Sequence, residues 1–325
     1  MYLRCDKILK MVTEQMIPAT EFQNKLWPSE LLYWRRMGSR ELSDYTEATP
    51  PEQRLVLITW GVLEAHGPYL ALGLDAMMAQ VATDRVAYDL YKNHDVQPII
   101  FNSFADIGTY SVTKDIPGTV AIEEWQQYKA GQASPMLDIW HAVIRRLKRE
   151  GFERFFLING DGGNWMNYMA RPQHPDFISL KQEIERSYGV NFGASNWDQE
   201  GGVPWKHAET ASHAFIKWVC NYAPEFERYA ALRHGIRPVP EDVLQAIDGS
   251  KFVDTVDGKR ISNWPQILSH PELRGVAEFS LTRYKELLYE PDGITPRISG
   301  GIQQDYEDKI QHLFSNIFKF YQGRL

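Results

Sequence analysis

The sequence predicts an α/β protein with a largely parallel sheet covered by helices on both faces. Short apolar runs recur along the chain, and the stretches between them carry helical periodicity. The first run, Arg54 to Thr59 (RLVLIT), is rich in Leu, Val and Ile and is followed closely by Gly61, as expected of a buried strand. From Asp75 onward, apolar residues at Met78, Val81, Ala82, Val86 and Leu90 keep the three-and-four spacing of an amphipathic helix, which places Asp75 near that helix's start. Gln97 to Phe101 is read as a second strand. Leu137, Trp140, Val143, Ile144 and Leu147 mark a helix ending at Gly151, and Arg154 to Ile158 is the third strand. Strands separated by such helices imply right-handed crossovers, and ligands then gather at the carboxyl ends of the strands. After Cys220 the pattern loosens around Pro224, Pro238, Pro240, Pro265 and Pro271, before a last amphipathic helix at about Asp308 to Tyr321. No repeat or low-complexity linker interrupts the chain. The expectation is one domain over residues 1–325, elaborated from about residue 221 to the end.

Composition narrows the function classes. With 43% hydrophobic and 24% charged residues among 325, the chain can bury a large core. A formal charge of -7 and the lack of a long basic run argue against nucleic acid and membrane surfaces as partners. Cys5 and Cys220 are the only cysteines, so a thiolate zinc site cannot be built and any metal must sit on oxygen and imidazole. Charges interrupt the apolar residues of the first sixteen positions, so a signal peptide is not expected and a cytoplasmic location is.

Chemistry concentrates just past the first strand. Glu64 and His66 would project from one side of an extended segment, and Asp75 follows eleven residues after Glu64. Carboxylate with imidazole suits Zn or Mn, and a bridging carboxylate such as Asp75 is the usual way to hold two ions together. The third strand runs into Asn159-Gly160-Asp161-Gly162-Gly163-Asn164, whose glycines let backbone approach a ligand closely. Asp161 would there supply a fourth ligand, or cap the helix that follows. Asn159 and Asn164 are read as fixing the loop through bonds to its backbone. Further on, Trp205, Lys206, His207, Ala208 and Glu209, with His213, offer groups for proton transfer. Trp205, which adjoins His207, is read as a pocket residue and Trp197 as core.

These motifs resemble the creatininase, or creatinine amidohydrolase, family. Its members carry Glu-x-His-Gly-Pro after a strand and then an Asp, matched here by Glu64, His66, Gly67, Pro68 and Asp75. A Pro-Gly-Thr follows as Pro117-Gly118-Thr119, and the Asn-Gly-His-Gly-Gly-Asn motif is met by Asn159 to Asn164, after Gly151-Phe152. The resemblance implies a three-layer α/β/α sandwich, two divalent metal ions, and hydrolysis of a C–N bond in a small cyclic or linear amide by a metal-activated water. Carried over by position, Glu64, Asp75 and Asp161 would hold one ion, and His66, Asp75 and Glu209 the other. His207 would move protons, with His213 the alternative. Tyr110, Trp205 and the backbone of Gly162 and Gly163 would contact substrate. A homo-oligomer, up to a hexamer, is also implied.

Two departures bear on specificity. Asp161 stands where the family has histidine, which makes the first ion's ligands all oxygen and favours Mn or Mg over Zn there. Counted back from Pro117, the stretch Gly108 to Thr113 lacks the family's usual Ser and His at their positions. Substrate selection is expected in the loops Ala105 to Thr113 and Asn191 to Trp205. Two other functions compete: ring opening at a C–C bond of a cyclic, inositol-like diketone, and binding of a metabolite without catalysis.

Overall fold

The computed structural model describes residues 31–64, 73–103, 105–108, 135–169, 178–197, 253–256, 259–262 and 300–323. Among these, five parallel strands form one sheet: β1 (Leu32–Tyr33), β2 (Leu55–Trp60), β3 (Ile99–Phe101), β4 (Arg154–Asn159) and β5 (Asn191–Asn196). Their lateral order is β1-β3-β2-β4-β5. Every residue of β2 is buried, as expected of a central strand covered on both faces. Register aligns the carboxyl ends: Trp60 pairs with Asn159, and Asn159 with Asn196. The sheet therefore ends in one rim.

One face carries the main core. Val56, Ile58, Trp60, Phe155, Leu157 and Phe192 pack with residues of three helices, α1 (Ser39–Ala48), α3 (Pro135–Arg149) and α5 (Leu180–Tyr188). Trp60 meets Trp140 of α3 edge to face, with ring centroids 5.4 Å apart. The other face takes α2 (Leu74–His94), and α6 (Gly300–Tyr321) packs on α2 and β5. Phe156 meets Phe320 there at 5.4 Å. Sandwiched between sheet and α6, α2 is buried almost continuously from Leu74 to Leu90, and Arg85 reaches Glu307 of α6 at 3.2 Å. Helices on both faces of a parallel sheet make the three-layer sandwich expected from the sequence. The short helix α4 (Gly162–Tyr168) follows β4, and β6 (Val253–Val256) pairs antiparallel with β7 (Lys259–Ser262) in a separate two-stranded sheet.

The expected strands fall within two residues of the observed ones. The expected last helix starts earlier than Asp308, at Gly300. One expectation is corrected: Asn191 to Asn196, read as the start of a specificity loop, is strand β5 in register with β4. Its sequence, NFGASN, lacks the branched residues that mark β2, and Gly193 is required because Phe156 and Phe320 close over it. Trp197, just past β5, is fully buried and packs on Tyr306 at 5.9 Å, so it belongs to the core. No helix among the described residues is long and apolar enough to cross a membrane.

Candidate metal centre

Three carboxylates meet at the carboxyl rim. Glu64, Asp75 and Asp161 each offer an oxygen, and these atoms lie within 4.8 Å of one another. Glu64 is 3% exposed and Asp161 6%. Each side chain arrives by a different route. Beyond β2, Gly61 N donates to Ala105 O at 2.8 Å and Leu63 N to Asp106 O at 3.2 Å, so the loop after β3 holds the extended segment that ends in Glu64. Asp75 lies in the first turn of α2. Asp161 is the N-cap of α4, its Oδ2 accepting from Asn164 N at 2.5 Å.

Two glycines bring these routes together. A methyl group on Gly61 would fall 2.5 Å from Ala76 N and Cα, and one on Gly160 would fall 2.4 Å from the carbonyl oxygen of Asp75. Only bare backbone at the exits of β2 and β4 lets the first turn of α2 sit this close to the rim. Asp75 is thereby delivered to the other two acids. Asp106 lies on the neighbouring loop; partial desolvation raises its carboxyl pKa, and the Arg35 charge opposes the shift.

Electrostatics shows what the cluster needs. Two like charges at this spacing repel by roughly 3 to 4 kcal/mol at an effective dielectric of about 20, and three pairs approach the whole stability of an ordinary domain. The N-termini of α2 and α4 offset part of that, since helix dipoles place partial positive charge beside Asp75 and Asp161. Shared protons or a cation must supply the rest. A compact set of hard oxygen donors fits a divalent ion.

Of the residues expected in the site, the fold gathers Glu64, Asp75 and Asp161 and sets Gly162 and Gly163 in the first turn of α4 beside them. His66, Tyr110, Trp205, His207, Glu209 and His213 lie outside the described residues. The roles of Gly61 and Gly160 were missed in the sequence. The available signal was a glycine directly after each of two adjacent strands. Asn164 was read as a local loop residue, yet its Nδ2 donates to Gly61 O at 2.8 Å, on the exit of another strand.

Comparison with known proteins bears on this arrangement. The profile of the creatininase family, described as creatinine amidohydrolase, matches residues 39–216, more than half of the chain and the span that carries all three acids. The chain belongs to the creatininase family. Among solved structures it is similar to a Bacteroides fragilis NCTC 9343 protein assigned as a creatinine amidohydrolase, at TM-score 0.52 and 11% identity, covering 90% of this chain and 97% of that one. A creatinine amidohydrolase (creatininase) matches at TM-score 0.51 and 14% identity over 89% and 97% of the two chains. A tryptophan-to-alanine variant of creatininase matches at TM-score 0.52 and 13% identity over 90% and 99%. At such identities the likeness is one of fold, and it agrees with the α/β sandwich described above. No curated protein matches the chain by sequence.

Proposed function

We propose that this chain is a metal-dependent hydrolase that cleaves a C–N bond in a small cyclic or linear amide. The observation that carries the reading is the trio Glu64, Asp75 and Asp161, two of them buried and Asp75 half-buried, at the carboxyl rim of a creatininase-family sheet. These three would hold one divalent ion. His66, Asp75 and Glu209 would hold a second, by the family's motif order. Bound there, such ions supply a nucleophilic water at neutral pH and polarise the substrate carbonyl.

The chain's own groups supply the rest. Asp75, fixed in the first turn of α2, is the acid both ions would share. Backbone N–H groups of Gly162 and Gly163, at the start of α4, point out of a helix N-terminus toward the cluster's end of the sheet and can stabilise negative charge developing on the carbonyl oxygen. His207 would hand a proton to the departing nitrogen, and Tyr110 and Trp205 would contact the substrate. With oxygen ligands alone at the first position, Mn or Mg is favoured there over Zn.

The test is elemental analysis of protein prepared without chelator, followed by product analysis. About two equivalents of Mn or Zn per chain, with release of ammonia or an amine from a hydrolysed amide, is the expected result. Absence of divalent metal after incubation with Mn and Zn overturns the reading. Ring opening that yields a new carboxylate and no amine would move the reaction to a C–C bond.

A further inference from the structure

We propose that Asn164 is a positioning residue for the carboxylate cluster, fastening the turn that bears Asp161 to the exit of β2 and so setting its separation from Glu64 and Asp75. The assignment rests on the metal-site reading above. Asn164 is fully buried. Its backbone N–H caps onto Asp161 Oδ2 at 2.5 Å, while its side-chain Nδ2 donates to Gly61 O at 2.8 Å, three residues before Glu64. Its Oδ1 faces the loop after β3, where a methyl group on Gly108 would lie 3.3 Å away. One residue thus joins the exit of β4, through its backbone, to the exit of β2, through its side chain, and lies beside the loop that follows β3.

The far side of Asp161 is held in the same way. Asn159 Nδ2 donates to Asp161 O at 2.5 Å and to Asn196 Oδ1 at 2.7 Å, and Asn159 is also fully buried. Asn196, Asn159, Asp161, Asn164 and Gly61 therefore form a continuous line of hydrogen bonds across the ends of β5, β4 and β2, with the candidate ligand in the middle. Neutral amides suit this task. They supply donors to backbone carbonyls without adding charge of either sign to a cluster already crowded with anions.

Capping alone does not account for Asn164. The cap uses only its backbone N–H, which almost any residue at that position supplies. Its side chain instead spans 103 positions of sequence to reach Gly61. Removing that link leaves α4 capped but frees the Asp161 turn to move relative to Glu64, and ligand placement tolerates only about 0.5 Å.

The experiment titrates metal-free full-length protein with Mn(II), following free and bound ion by electron paramagnetic resonance, with urea unfolding in parallel. Asn164→Ala and the milder Asn164→Ser both keep the backbone donor. Each is expected to bind Mn(II) about 10- to 100-fold more weakly, with an altered bound-ion spectrum. Thr59→Val is the control, because it removes a buried hydrogen bond from Thr59 to Thr83 (3.1 Å) away from the cluster. It should lose stability and keep both affinity and spectrum. Affinity within twofold of the unaltered protein and an unchanged spectrum in the Asn164 variants overturn the assignment while leaving the metal site standing. So does a loss that Thr59→Val reproduces. If Asn164→Ala does not fold, Asn164→Ser decides by the same criteria. Unaltered protein that takes up no Mn(II) overturns the metal reading, and the assignment with it.

Discussion

The two ends of the central sheet treat charge in opposite ways. At the amino end, helices α1, α3 and α5 finish, their last carbonyls form the partial negative ends of the helix dipoles, and cations from the chain meet them. Arg54, nine-tenths buried just before β2, donates to Thr49 O at 2.7 Å, to Gly151 O at 2.9 Å and to Thr46 O, closing α1 and α3 together. Lys148 donates to the carbonyl of Tyr188 at the end of α5. At the carboxyl end, α2 and α4 begin, and the fold crowds three carboxylates against them. One end matches each charge with its opposite, which serves stability. The other concentrates a single sign, a cost that shared protons or a bound cation must offset.

That contrast predicts changes of opposite sign. Asp75→Asn keeps the size of the side chain and removes one of three mutually repelling charges. Activity should fall at least about a thousandfold, roughly 4 kcal/mol of barrier, together with metal uptake. The metal-free protein should meanwhile unfold at higher urea than the unaltered chain, since repulsion at the rim is relieved. A metal-free variant less stable than the unaltered chain would break the comparison, because it would mean the rim is balanced internally. The second test acts on the amino end. Arg54→Met leaves the carbonyls of two helix ends without their charged donor and should cost about 3 kcal/mol or more, read as a lower urea midpoint. Metal affinity should stay within twofold. A loss of metal binding from Arg54→Met would show that the two ends are not independent.

The sequence made the sheet legible wherever burial on both faces left an unbroken apolar run, as in Leu55–Trp60 and Arg154–Asn159. It hid β5, where Asn, Gly and Ser occupy an edge strand and packing by Phe156 and Phe320 overrides weak propensity. At the site, residue type and the order of the motifs singled out Glu64, Asp75 and Asp161, and the fold brings these three together. Spatial links were not legible. The bond from Asn164 to Gly61 and the contact of Gly160 with Asp75 depend on the lateral order of strands, which no local pattern encodes.

Between the two ends lies a third way of handling charge, and it sharpens the comparison with the smallest effect. Asp84, halfway along α2, is fully buried, and burial pushes its carboxyl up to about 7, against the opposing pull of hydrogen bonds from Tyr33 and Gln80 and of the Arg36 charge. Gln80 Nε2 donates to Asp84 Oδ1 at 2.6 Å, while Gln80 Oε1 accepts from Asn102 Nδ2 at 2.7 Å, so the acid sits in a buried amide network. Here neither a strong cation contact nor a clustering of acids answers the charge; burial instead holds the proton on the group up to about pH 7. A folded-state pKa above the unfolded value of 3.8 means the native protein binds more protons between about pH 4 and 7. Stability from this group is full below pH 4 and falls as pH rises through 7. Over the single unit from pH 6 to 7 the loss is about 1 kcal/mol. Asp84→Asn, which mimics the protonated acid in shape, should flatten that slope and leave stability near pH 4 almost unchanged, as measured by urea midpoints across the range. A slope identical to that of the unaltered protein would mean that Asp84 is ionised at neutral pH, and that the interior of α2 is balanced by charge as the amino end is.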